Sequence, residues 1–199
     1  MSNTKAKKIS TRMLVGVGMM TAVAYVLQIF EFPIPMLVPS FMKFDFSDLP
    51  ALLGAYAYGP VAGVFIELVK NLLHCAVSQS ATVGELANFL LGAFFVFSAG
   101  FIYKLKKSKK TALIGGITGA IVMGIISIPV NYFITYPFYF KVWAPKEAVI
   151  GAYKAIIPSV QTLLQCLLIF NLPFTIVKGI ICVIISMLIY KPLSKILKG

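Results

Sequence analysis

A lysine in the middle of an apolar run is the first residue in this chain that could do chemistry. Lys178 lies about five residues, or roughly 7–8 Å at helical rise, below the start of the last apolar stretch. A Lys or Asp at mid-membrane costs about 2.5–3.5 kcal/mol on insertion scales, so its presence there marks a function or a partner. Thr175 is one helical turn from Lys178 on the same face, and Asn171 is one turn further back. Asn131 lies close to the end of an earlier apolar stretch that runs the other way, at similar depth, and Asn88 stands near the start of another. Together these donors and acceptors form a polar cluster that suits an uncharged heterocycle with several functional groups better than an inorganic ion. The alternative is that Asn and Thr tie helices together while Lys178 neutralises a carboxylate. The residues alone leave both readings open.

Glu67, Lys70, Asn71 and His74 form a second set, spaced along one helical face. Glu67 with Lys70 reads as an intrahelical ion pair that lowers the insertion cost of both, a structural role. A proton relay would need a further carboxylate inside a span, and the spans read below supply none. Other catalytic arrangements are missing. There is no GxxxxGK[ST] phosphate loop for ATP, no HExxH, no GxSxG, and the single histidine is His74. The chain is therefore not read as an enzyme. Cys75, Cys166 and Cys182 are odd in number, contain no CxxC and sit in apolar sequence, so they read as core residues. No metal and no resident cofactor is expected.

The elements that hold these residues follow from composition. Of 199 residues 59% are apolar and only 12% charged, where soluble domains run near 45–50% and about 25%. That excess cannot be hidden in a soluble globule, so the chain is read as one integral membrane domain, 1–199. A helix needs about 20 apolar residues to cross the hydrocarbon. Six stretches qualify: 13–30, 49–58, 61–77, 86–103, 112–134 and 173–190, the second being short and ended by Gly59-Pro60. The expected class is all-α, with six transmembrane helices.

Charge tests that count. Eighteen Lys and Arg against six Asp and Glu give a net charge of +12. Twelve of those cations fall in three places: the first tail (Lys5, Lys7, Lys8, Arg12), the loop at Lys104, Lys106, Lys107, Lys109 and Lys110, and the last tail (Lys191, Lys195, Lys198). Six spans put all three on one face, which the positive-inside rule makes cytoplasmic, with both termini. Nucleic acid is set aside, because the cations lie in short runs between apolar blocks that suit anionic lipid heads.

Two long connections then face outward. Segment 31–47 carries Pro33, Pro35 and Pro39 among large apolar residues, including Val38, Met42 and Phe44. It reads as a stiff lid over a ligand cavity, since such a loop has little reason to lie bare in water. The other, 135–172, contains the apolar stretch 156–170, read as an interfacial helix or a second dip into the bilayer. Tyr132, Phe133, Tyr136, Phe138, Tyr139, Phe140 and Trp143 read mainly as an interfacial belt, with one or two free to flank a flat ligand. In the first span Gly18 and Ala22, extended by Ala24, give a small-residue surface for another helix.

Several blocks resemble the substrate-binding S components of energy-coupling factor (ECF) vitamin transporters. They are Lys43-Phe-Asp-Phe-Ser-Asp-Leu-Pro, Tyr58-Gly-Pro-Val-Ala-Gly, Val69-Lys-Asn-Leu-Leu, Asn88-Phe-Leu, Val130-Asn-Tyr-Phe and Phe174-Thr-Ile-Val-Lys-Gly. Within that family the likeness is to riboflavin-specific members. The resemblance implies a lid that covers the vitamin, a transmembrane coupling protein and two ATPase subunits as partners, and a bacterial cell membrane as location. It implies that Asn131, Thr175 and Lys178 meet the polar rim or ribityl chain of riboflavin, with Asn171, Asn88 and Asp45 nearby. Val38, Met42 and Phe44 would contact the ring, and Gly18, Ala22 and Ala24 would meet the coupling protein. Thr175 stands where the family has an asparagine. Two other readings are carried: an S component for another vitamin or flavin analogue, and a stand-alone channel or scaffold.

Overall fold

A computed structural model describes residues 10–142 and 144–198, the side chains of 190–198 excepted. Lys5, Lys7, Lys8 and Trp143, and the side chains of Lys191, Lys195 and Lys198, lie outside what is described. Among the described residues, five helices are long and apolar enough to cross a membrane. The first, α1 (Thr11–Ile29), is capped by the Ser10 hydroxyl, which accepts from the Met13 amide at 3.1 Å. It turns Leu14, Val15, Met19, Val23 and Val26 outward, as a lipid-facing helix does.

A short hairpin follows. β1 (Phe32–Pro33) pairs antiparallel with β2 (Lys43–Phe44), which folds the intervening prolines into a compact flap. α2 (Asp48–Tyr58) has 11 residues, and Asp48 through Tyr56 are all buried. At about 16 Å it is half the length of a spanning helix, and it runs inside the bundle, with α1, α3, α4 and the last helix around it. Gly59 ends it with φ +105°, a value open to glycine and strained for other residues. Pro60 then opens α3 (Pro60–His74), where its missing N–H is harmless.

α4 (Val83–Leu105) and α5 (Lys109–Val142) pack most extensively. A Cβ on Gly115 would come 2.7 Å from the Ala99 carbonyl, and one on Gly119 2.6 Å from that of Phe95. Only glycine lets these two backbones approach so closely, the usual device for packing helices in lipid. The lysine-rich turn between them lies at the far end of the 23-residue α4, about 33 Å along it from Val83 at the end beside the flap.

The last two long helices differ from the sequence expectation. The stretch expected at 112–134 continues to Val142, and the one expected at 173–190 begins at Leu163. Pro137 and Pro173 would ordinarily end a helix, because a proline ring clashes with the carbonyl four residues back and offers no N–H. In the structure each stands two residues beyond a π turn, Asn131–Thr135 in one helix and Leu167–Asn171 in the other. The wider turn absorbs the clash and the helix runs on. Segment 156–170 is accordingly neither an interfacial helix nor a dip. Its second half is the start of the last helix, α7 (Leu163–Cys166, the π turn, then Leu172–Lys198). The outer helix is earlier, α6 (Lys146–Lys154), which buries Val149, Ile150 and Tyr153.

Two apolar cores result. One lies among α1–α5 and α7 around Leu52, Ile66, Phe95 and Met123. The other joins the flap to α5, α6 and α7 through Val38, Tyr136, Tyr153 and Phe170.

Candidate functional site

Between the two cores lies a cavity of about 630 Å³, within the range of small-molecule sites. The flap roofs it with Ser40, Phe41, Met42, Lys43 and Asp45; α4, α5 and α7 form its walls, and Met123 and Lys178 lie among its deeper lining. Of the residues singled out in the sequence, Asn88, Asn131, Asn171, Thr175, Lys178, Met42 and Asp45 all line it. Two do not. Val38 is turned into the outer core. Phe44 packs on Phe32, Phe46 and Phe174, with ring centroids 5.7, 5.2 and 6.1 Å away. The hairpin register decides this: Phe44 pairs with Phe32 across the ladder, while Phe41 and Met42, beyond the ladder, face the cavity.

The π turns place the two helix asparagines. Asn131 opens the turn in α5 and Asn171 closes the one in α7. Asn131 Nδ2 donates to the Ser127 carbonyl at 2.8 Å, leaving Oδ1 and one N–H for a guest. Asn171 is more committed. Tyr153 donates to Asn171 Oδ1 at 2.9 Å, Asn171 Nδ2 donates to the Tyr136 hydroxyl at 3.4 Å, and the two tyrosine hydroxyls bond each other. Burial holds the Tyr153 hydroxyl well above its ordinary pKa, so it stays a donor. Met42 Sδ lies 3.3 Å from that hydroxyl, which ties the flap to α5, α6 and α7 at one point.

Lys178 is not alone. Its ammonium lies 2.9 Å from Asp45 Oδ2 and 3.1 Å from Asp48 Oδ2. Asp48 Oδ1 in turn meets Lys70 at 2.6 Å, and Lys70 also donates to Ser47 Oγ at 2.7 Å and lies 2.8 Å from Glu67 Oε2. The Ser47 amide donates to Asp45 Oδ1 at 2.7 Å. The two sets that sequence spacing treats as separate are therefore one buried network, running from α3 through α2 and the end of the flap to α7. Asp48, Glu67 and Lys70 are fully buried and none of them lines the cavity. Glu67 owes its place to Gly92, where a Cβ would come 2.3 Å from the carboxylate. Three carboxyl groups face two ammoniums.

Sequence reasoning passed over several lining residues. Gln28, at the inner face of α1, donates through Nε2 to Asn71 Oδ1 at 3.0 Å and is 2% exposed. It is a polar residue in an apolar run, so the rule that found Lys178 applies to it as well. Thr135, also in the cavity wall, closes the π turn of α5. At the mouth, Glu85 accepts from Ser78 and Ser80 at 2.8 Å each and pairs with His74 at 3.0 Å. Lys43 closes the flap on Glu31 at 2.5 Å and Gln79 at 2.9 Å.

The small-residue face of α1 divides. Gly18 and Ala22 are exposed, whereas Ala24 is fully buried against the core, because it falls on the opposite side of the helix. Among the described residues no group of three His, Cys, Asp or Glu could hold a metal. The cavity presents amide, hydroxyl and ammonium groups beside aromatic edges, an arrangement for holding a flat polar molecule.

Comparison with known proteins gives one answer. The family described as "ECF transporter, substrate-specific component" matches residues 12–190. Riboflavin transporter RibU of Staphylococcus aureus (strain TCH60) is 38% identical over 185 residues, 93% of this chain and 92% of that protein. Riboflavin transporter FmnP of Bacillus subtilis (strain 168) is 32% identical over 181 residues, 89% of each. A solved structure of the S component of a bacterial ECF transporter superposes with a TM-score of 0.73 at 37% identity, covering 94% of this chain and 98% of that one.

Proposed function

This chain belongs to the substrate-specific components of ECF transporters, and we propose that it captures riboflavin from outside the cell for an ATP-driven importer. It is a multi-pass bacterial membrane protein. One observation carries the choice of guest: a cavity of about 630 Å³ in which Asn131, Thr175 and Lys178 converge beneath the flap, in a chain 38% identical to a riboflavin transporter. Riboflavin is flat and uncharged, with ring carbonyls and an N–H along one edge and a polyhydroxylated side chain. Lys178 and Asn131 offer the edge a donor and an amide; Phe41 and Met42 cover the ring.

In this reading α2 counts as a sixth transmembrane element, so both termini and the lysine-rich turn share the cytoplasmic face. The distance of that turn from the flap supports the orientation, since lysines collect inside. The chain works as a single membrane domain and catalyses no reaction. It has no phosphate loop of its own, so the motive power comes from a transmembrane coupling protein and two ATPase subunits. The exposed Gly18 and Ala22 on α1 are the surface for the coupling protein.

Titration of the purified protein with riboflavin, followed by quenching of flavin fluorescence, tests the proposal. Saturable one-to-one quenching is expected. Quenching no greater than that by detergent alone would overturn it.

A further inference from the structure

We propose that Asp48 is a positioning residue that, with Lys70 behind it, aims Lys178 into the cavity. The inference rests on the riboflavin reading and extends it to residues the ligand never touches. An ammonium has three N–H donors. One of those on Lys178 donates to Asp45 Oδ2 at 2.9 Å, and Asp48 Oδ2 holds the ammonium as an ion partner at 3.1 Å, which leaves a donor for a guest. The two carboxylates together set where the ammonium sits and so where that donor can point. Asp45 sits at the end of the flap, directly after β2; Asp48 opens α2, inside the bundle, and is itself pinned by Lys70 at 2.6 Å. Lys70 is held from behind by Glu67 at 2.8 Å and from the side by Ser47 at 2.7 Å. Asp48 Oδ1 therefore accepts from Lys70 while Oδ2 faces Lys178 as its ion partner, and a carboxylate suits both ends.

The same arrangement explains why a buried lysine can greet an uncharged guest. Asp45 and Asp48 surround it with negative charge, so what it turns toward the cavity is a hydrogen-bond donor and not an unbalanced cation. A ring carbonyl or ring nitrogen fits that donor.

Asp48→Asn is the telling substitution. It keeps the shape but turns one end of the group into an N–H donor facing an ammonium, so Lys178 or Lys70 must give way. It leaves Glu67 beside Lys70 and Asp45 beside Lys178, so neither ammonium loses its last acidic neighbour. Riboflavin affinity and thermal midpoint are measured for wild type, Asp48→Asn, Lys178→Met and the double variant. The expected result is an affinity loss of at least tenfold in Asp48→Asn with an unlowered midpoint, shrinking to less than twofold when Lys178 is already Met. Should Lys178→Met not purify alone, Asp45→Asn/Lys178→Met, which restores the cluster's wild-type charge, takes its place as background. An Asp48→Asn protein that binds like wild type overturns the proposal. So does an equal loss in both backgrounds, since Asp48 would then act by some route other than Lys178. A wild-type protein that binds no riboflavin overturns the functional reading and this inference with it, a failure distinct from the other two.

Discussion

Truncating Asn131 and truncating Lys178 both take a polar group from the cavity wall, but the protein should survive them differently. Asn131 is anchored only to the Ser127 carbonyl, so Asn131→Ala strands no charge. Flavin affinity is expected to fall at least tenfold, because a site built for a polar edge loses strongly when the match is broken, with little change in thermal midpoint. Lys178→Ala leaves Asp45 and Asp48 facing each other without their cation, and breaking a buried ion pair costs about 3–5 kcal/mol. Thermal unfolding of the two variants side by side should show a large drop only for Lys178→Ala. Gly92→Ala belongs to the same scale: its methyl would meet the Glu67 carboxylate at 2.3 Å and push it off Lys70. Overpacking of this kind costs about 1–3 kcal/mol, read as a lower midpoint; an unchanged one would contradict the packing described. Lys178 was legible from sequence as a cation in an apolar run. Its partners were not. Asp45 lies 133 residues away in the chain, and no local spacing links the two, whereas Glu67 and Lys70 at i and i+3 could be read directly.

Among the elements, the flap is where ligand exchange must be controlled. Its ladder is only two residue pairs long, and its outer corner is held by Lys43 on Glu31 and Gln79. Both partners of the ion pair are about a quarter exposed, and such pairs contribute about 1 kcal/mol or less. Lys43→Met should therefore speed riboflavin release by up to about fivefold in stopped-flow fluorescence, with little change in the rate of entry. No change in release would mean that the flap is held elsewhere, at Met42 on Tyr153. The flap's proline and apolar content made it legible as a lid, and Gly59-Pro60 marked the end of α2. The true lengths of α5 and α7 were hidden. Proline is a stop signal in most helices, and nothing in residue type alone tells that a π turn two residues earlier has made room for it. The aim of Val38 and Phe44 was hidden for a related reason: the hairpin register that turns Phe44 onto Phe32 depends on a pairing across nine residues of loop, beyond any local pattern.

The whole molecule pairs an apolar exterior with a charged interior. Its exposed surface carries Leu, Val, Ile and Phe all round, while Asp48, Glu67 and Lys70 are fully buried. That inversion was plain from composition, which places the chain in a membrane before any motif is considered. The cavity's charge was not, because it depends on which lysines are already paired. Both lysines in its lining are: Lys43 with Glu31, and Lys178 with Asp45 and Asp48. A phosphate ester would find no free cation there and would approach Glu85 at the mouth. Riboflavin 5′-phosphate is accordingly expected to bind at least tenfold more weakly than riboflavin in competition titrations, and equal affinity would contradict the pairing. Ligand should also stabilise the fold, by about 2.7 kcal/mol at a hundredfold excess over the dissociation constant, seen as a raised midpoint. The central claim is that the guest lies under the flap between Asn131 and Lys178, and an experimental structure of the protein with riboflavin bound tests it most directly. The isoalloxazine edge is expected within hydrogen-bonding distance of both residues, with Phe41 and Met42 closed over the ring. Riboflavin found outside this cavity, or the cavity filled by repacked side chains, would contradict it.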